Sequence, residues 1–242
     1  MNLRRVTISG ADDTVDAKQV YKLATKFPFV EWGLLFSRDR MGLSPRYPSL
    51  KWLAEFSEFK NIHRSVHLCG AWARHAINSS HPLHLMGIDG MFWLCGDVER
   101  VQLNISPYLK DGLEHGGLDC WVAEARQRDL KVIIQAKNFS HPLASFVAKT
   151  TGVCTLHDAS GGNGLYGAFE APTDQKQIVG FAGGITPENC VATADTIEAF
   201  PESCDYWLDL ETGARDADDK FCLDRVEDVL NKLKTRVVTT RK

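Results

Sequence analysis

The first strand-like run of this sequence is not followed by GxGxxG, and the chain holds no CxxC pair, no HxH and no HExxH. Nor has it an apolar run of the roughly 18–20 residues that a membrane span needs. The missing glycine fingerprint argues against a dinucleotide-binding fold, and the missing spacings argue against a zinc site. No cofactor and no metal are therefore expected. Neither charge dominates: 28 Lys and Arg stand against 31 Asp and Glu, a formal net charge of −3. Such a balance gives no broad attraction to nucleic acid or to an anionic membrane, so a small-molecule partner is predicted, with the oligomeric state left open. The start, MNLRRVTISG, has no apolar core of a signal peptide. The seven cysteines (Cys69, Cys95, Cys120, Cys154, Cys190, Cys204 and Cys222) are odd in number and widely spaced. They read as small apolar thiols of a reducing compartment, and a cytoplasmic location is expected.

What the chain does have is alternation. Strand-like runs fall at 4–9, 32–37, 65–69, 100–104, 131–136, 153–158, 178–183 and 206–210, with amphipathic stretches between them such as 17–27, 118–128 and 223–236. Repeated βα units need crossovers and a parallel sheet, and eight of them close into a (β/α)₈ barrel. An open doubly wound sheet is the alternative. The expectation is one barrel over 1–242, with an insertion around 71–98 that contains His81, His84 and Trp93, and a Gly-rich loop over 160–176. Trp72, Trp93 and Trp121 read as packing residues.

The stretch GFAGGITPEN ends a strand on Gly183 and Gly184, which let backbone N–H groups approach an anion. Thr186, Pro187 and Glu188 then read as a helix start with Thr186 as N-cap. The next strand ends in LDLETGAR, where Thr212 and Gly213 offer a second such turn. Phosphate sites built by the last two βα loops are frequent in this barrel, so these four residues are candidate phosphate ligands. Alternation turns one of His157 and Asp158 inward, and Asp158 is the one expected to face the barrel centre. His67 shares a face with Cys69 and is a candidate base. Lys137, at the end of the fifth strand, reads as a solvated charge or, in an aldolase, a Schiff-base amine.

Taken together, SPRY, VQLN, HDASGGNG, FAGGITPEN and LDLETGARDADDK resemble, in order along the chain, the motifs of the phosphoribosylanthranilate isomerase family. That resemblance implies a (β/α)₈ barrel isomerising a phosphoribosyl-amine to an aminodeoxyribulose phosphate by an Amadori rearrangement in tryptophan synthesis. It implies Asp158 as the general acid that protonates the ribose ring oxygen. Arg46 would lie near the substrate's aromatic carboxylate, Gln102 and Asp209 in the barrel lining, and Gly183, Gly184 and Gly213 around the phosphate. Three positions depart from the pattern: Ser9, a candidate base beside His67, stands where the family's cysteine base would be, Asn104, a candidate substrate ligand, where it has histidine, and Glu211 within the last phosphate loop. Glu211 is expected to repel an anion unless it points away or pairs with Arg215. A lyase or aldolase acting on a sugar phosphate, or a silent phosphate-binding barrel, are the other readings.

Overall fold

The computed structural model describes residues 1–78, 95–104, 116–137, 150, 152–161, 164–172 and 178–238. Eight parallel strands close on themselves: β1 (Asn2–Ser9), β2 (Val30–Phe36), β3 (His63–Leu68), β4 (Arg100–Leu103), β5 (Lys131–Ala136), β6 (Val153–Asp158), β7 (Val179–Ala182) and β8 (Asp205–Leu210). Each pairs with its neighbour in sequence, and β8 pairs with β1. The open sheet is thereby excluded. The α-helices among the described residues are α1 (Ala17–Lys26), α2 (Leu50–Ser57), α3 (Ala71–Asn78), α4 (Gly116–Gln127), α5 (Cys190–Glu198) and α6 (Leu223–Leu233). None of the described helices is long and apolar enough to cross a membrane. Residues 79–94, with His81, His84 and Trp93, lie outside the described residues, as does part of the 160–176 loop.

The strands form where the sequence places short runs that can be buried on both faces, as parallel strands inside a ring of helices must be. All seven residues of β2, VEWGLLF, are buried, Glu31 among them. Helices cover the outside through one apolar stripe each. On α6 that stripe is Val226, Val229, Leu230 and Leu233, a spacing of three and four residues. Asp16 caps α1 by accepting from the Lys18 N–H at 2.6 Å, and Ser49 caps α2 by accepting from Trp52 at 3.1 Å. Trp121 is buried and Trp72 packs against the core.

Inside the barrel, the lower half is divided by chemistry. One side is apolar, formed by Ile133, Cys154, Leu156 and Trp207. The other holds a buried ion pair: Arg100 of β4 donates through Nε to Glu31 of β2 at 2.8 Å, and Arg5 of β1 donates to the same carboxylate at 2.8 Å. Thr7 gives Glu31 a further hydrogen bond at 3.0 Å. The Arg100 guanidinium lies 4.3 Å from the Trp207 ring centre, joining the two halves by a cation–π contact.

Gly180 makes room for that indole. A Cβ there would sit 2.3 Å from Trp207 Cζ2 and 2.6 Å from Leu156 Cδ1. Gly180→Ala is expected to cost about 1–3 kcal/mol through overpacking. Urea unfolding reads this out, and Gly180→Ala combined with Trp207→Phe should recover part of the loss if the clash is the cause.

Candidate active site at the barrel mouth

Above the Glu31–Arg100 layer polar side chains stand beside Leu35 and Leu156, and the barrel opens into a cavity of about 720 Å³ at the C-terminal ends of the strands. In barrels of this kind the βα loops at that end carry the chemistry. Strand register fixes the floor: Asp158 of β6 pairs with Ala182 of β7, which pairs with Asp209 of β8. Adjacent strands lie about 4.8 Å apart, so the two acids stand about 10 Å apart at Cα. Of the described residues, Ala182, with its methyl side chain, stands between them in the register.

The environments of these acids differ. Asp158 is 4% exposed and accepts from Gln135 Nε2 at 2.6 Å, from the Ser160 hydroxyl at 2.6 Å and from the Ser160 N–H at 3.0 Å. Asp209 accepts from the Ser9 hydroxyl at 2.7 Å. Burial pushes the Asp209 carboxyl up to about 7; the nearby negative charges of Glu211 and Glu31 act the same way, while the Ser9 hydrogen bond and Arg100 oppose them.

His67 and Ser9 flank Gly33, whose missing side chain leaves the space both occupy. The His67 ring meets the Ser65 hydroxyl through Nε2 at 3.0 Å, and burial pulls its pKa down to about 3. It is a neutral imidazole. Cys69, on the same wall, is pushed up to about 12 by burial, so it is a thiol near neutrality. Asn104 donates to Cys69 Sγ at 3.2 Å and accepts from Gln102 Nε2 at 2.8 Å. The buried Gln102 Oε1 has no hydrogen-bond partner among the described residues, which leaves an acceptor on the cavity wall. His157 faces the other way, edge-on to Phe169 and Phe181. Lys137 is exposed and is not part of the cavity wall; its side chain lies beside Gly161.

At the rim, Gly183, Gly184, Thr212, Gly213 and the Gly-rich segment at Gly164 converge on one side of the cavity. These glycines serve close backbone approach. A Cβ on Gly184, whose φ is 62°, would lie 2.2 Å from the Tyr166 nitrogen, and one on Gly213 would lie 1.9 Å from the Ile185 carbonyl oxygen. Three chain segments are thus packed backbone to backbone around the rim.

Two expectations are corrected here. The helix expected to start at Pro187 begins instead at Cys190, after a turn over 187–189, with Asn189 at the N-cap position. The Asn189 side chain accepts from the Thr186 N–H at 2.7 Å, and Thr186 Oγ accepts only from Glu188 within a preceding turn. The Thr186 carbonyl accepts from the Cys190 N–H at 2.9 Å, so these bonds close the turn that leads into α5, and Asn189 makes no side-chain cap bond of its own. Glu211, in turn, pairs with Arg46 at 2.7 Å rather than with Arg215. Arg215 is buried and turned the other way, donating to Asp12 at 2.8 Å and to the Gly10 carbonyl at 2.8 Å. Arg46 is further tied to Asp219 at 2.8 Å and to Thr212 Oγ at 3.2 Å. Its guanidinium therefore neutralises Glu211 beside the glycine rim. Arg40, also in the cavity wall, has no carboxylate within ion-pair reach among the described residues; it lies 5.6 Å from the Tyr47 ring centre.

Sequence reasoning missed Gln135, Ser160, Arg40 and Ser65. The available signal for Gln135 was period two: in KVIIQA it shares the inward face with Ile133, a lone amide in an apolar strand.

No family model and no curated protein matches the chain. Solved structures do. Phosphoribosyl anthranilate isomerase from Thermus thermophilus is 18% identical, over 96% of this chain and 98% of that one, with a TM-score of 0.60. A phosphoribosyl anthranilate isomerase in complex with reduced 1-(o-carboxyphenylamino)-1-deoxyribulose 5-phosphate is 14% identical over 96% and 99%, with a TM-score of 0.58. Monomers generated from the dimeric isomerase of Thermotoga maritima give 14%, 96%, 98% and 0.56. At these identities the likeness establishes a shared (β/α)₈ fold along nearly the whole chain.

Proposed function

We propose that this barrel is a sugar-phosphate isomerase that carries out an Amadori-type rearrangement of a phosphoribosyl-amine. The observation that carries the reading is the row Asp158–Ala182–Asp209 on the floor of a cavity whose rim is packed glycine backbone. The size suits a ligand of this class, since small-molecule sites run to about 300–1,000 Å³. The similar fold of an isomerase solved with a phosphorylated ketose analogue favours the same ligand class.

In this mechanism the rim glycines and Thr212 hold the phosphate, which orients the sugar without altering its bonds. Asp158 gives a proton to the ribose ring oxygen, the C1–O bond breaks, and an open-chain protonated imine forms, its nitrogen keeping its hydrogen. A base then takes the proton from C2, and the enolamine that results tautomerises to the ketone. The unpartnered Gln102 Oε1 accepts from a substrate hydroxyl. Because Glu211 and Asp219 already hold Arg46, Arg40 is assigned any carboxylate on the amine's aromatic ring.

The test is direct. Phosphoribosylanthranilate is generated in place and its fluorescence followed, while amide shifts are recorded during titration with inorganic phosphate. Turnover, rescue of a tryptophan auxotroph lacking the isomerase, and shifts at Gly184 and Gly213 are expected. Shifts without turnover would favour a silent binding barrel; borohydride trapping of Lys137 with a sugar phosphate would favour an aldolase; no shifts would end the phosphate reading.

A further inference from the structure

Resting on that reading, we propose that Asp209 is the catalytic base that removes the C2 proton, with Ser9 as the positioning residue that aims its carboxylate. The position where the resemblance leads one to expect a thiol base holds a hydroxyl, and a hydroxyl by itself is far too weak a base for a carbon-bound proton. In the structure that hydroxyl is a donor, spent on Asp209 Oδ1 at 2.7 Å. The basic function has moved one strand around the ring, from β1 to β8, and stays within reach of the same space.

The competing groups on the cavity wall are each otherwise engaged. His67 is neutral and bonded to Ser65, and its depressed pKa makes it a feeble proton acceptor. Cys69 is held as a thiol. Glu211 is bound by Arg46. Asp158 carries three donors and stands on the far side of Ala182, where the first proton is needed. Among the described residues, Asp209 alone combines a carboxylate on the cavity wall with a single fixed hydrogen bond, which leaves the other oxygen for substrate.

The groups that face Asp209 come from every neighbouring wall. They are Ser9 and the register partner Thr7 on β1, Glu31 below on β2, His67 on β3, Arg100 on β4, Ala182 on β7, and Glu211 above on β8. The net result is a carboxyl that titrates near neutrality, the range in which a general base is most effective. The proton balance closes: the Asp158 proton goes to the ring oxygen, Asp209 takes the C2 proton and returns it to C1, and the proton that the C2 hydroxyl loses as the ketone forms restores Asp158.

Asp209→Asn keeps the shape and removes the base. With phosphoribosylanthranilate as substrate, kcat is expected to fall about 10²–10³-fold, while the affinity for inorganic phosphate changes less than about threefold, the rim being untouched. In the wild type kcat/KM should fall about tenfold per pH unit below about 7, as Asp209 takes up its proton, and Asp209→Asn should lose that limb. Ser9→Ala should move the limb to higher pH, because the Ser9 hydrogen bond favours the carboxylate; a merely structural serine would leave it in place. Turnover that survives Asp209→Asn, or a limb that falls on the alkaline side, overturns the assignment and leaves the isomerase standing. Wild-type protein that binds phosphate and converts no substrate overturns both.

Discussion

Glu31→Leu is expected to destabilise the protein by about 3–5 kcal/mol, the usual result of stripping one partner from a buried ion pair. Glu31 is fully buried and Arg100 is 4% exposed, so the guanidinium left behind has little water to turn to. Both of its bonds to Glu31 would be lost, and only Thr7, at 3.1 Å, would remain. Arg5 retains Glu99 at 2.8 Å and lies nearer solvent, so its share of the penalty is smaller. Removing both charges should reverse most of the loss. Glu31→Leu with Arg100→Met leaves an apolar layer continuous with Ile133 and Leu156, and the methionine keeps a sulfur–aromatic contact with Trp207. Urea unfolding of the two variants decides it. A single-variant loss under about 1 kcal/mol would mean that Arg100 reaches water from inside the barrel.

The pair also sets acid sensitivity. Burial alone would push the Glu31 carboxyl up, but Arg100 and Arg5 hold it well below the usual carboxylate range. A depressed folded pKa contributes stability that is fully present above the unfolded value of 4.5 and is lost as pH falls below it. Glu99, held at about 2 by the His63 hydrogen bond and by Arg5 against the upward push of burial, adds in the same window. Glu31→Leu should therefore unfold with a shallower pH dependence between about 5 and 2.

Why this layer escaped the sequence reading is instructive. Each strand was legible because parallel strands buried on both faces must be short apolar runs, and the observed bounds of β5 and β6 coincide with those runs. Glu31 and Arg100, however, are 69 residues apart and look like ordinary polar interruptions of VEWGLLF and RVQL. Only closure of the barrel brings β2 and β4 inward to the same level. The loops failed for a related reason. Arg215 follows Glu211 by four positions, which invites a local pair, but the 3-10 turn Thr212–Ala214 carries Arg215 toward Gly10 and Asp12. The partner of Glu211 comes instead from the loop after β2, where Arg46 adopts a φ of 77° with its N–H held by Asp12 at 2.6 Å. By contrast, the inward turn of Asp158 follows from alternation within VCTLHD, and a period of two survives any arrangement of the loops.

On the isomerase reading, Asp158→Asn is expected to reduce kcat by about 10³–10⁴-fold, at the upper end of what one general acid contributes. Ring opening is the first chemical step, and an amide has no proton of suitable acidity to give to the leaving oxygen. The substitution is close to isosteric but not silent in the folded state. The carboxylate accepts from Gln135 and twice from Ser160, so an Asn side chain turns an NH₂ toward at least one donor. Rotation of the Gln135 amide or of the Ser160 hydroxyl relieves part of this, and a stability loss of about 1 kcal/mol is expected. Thermal unfolding and phosphate binding should therefore change little while turnover collapses, which separates chemistry from folding. Gln135→Leu gives the complementary measurement. It removes a donor without touching the carboxyl, so it should lower kcat far less than Asp158→Asn and leave phosphate affinity as it was. A loss under about tenfold in Asp158→Asn would mean that the ring-opening proton arrives by another route, and the row across β6, β7 and β8 would no longer be an acid facing a base.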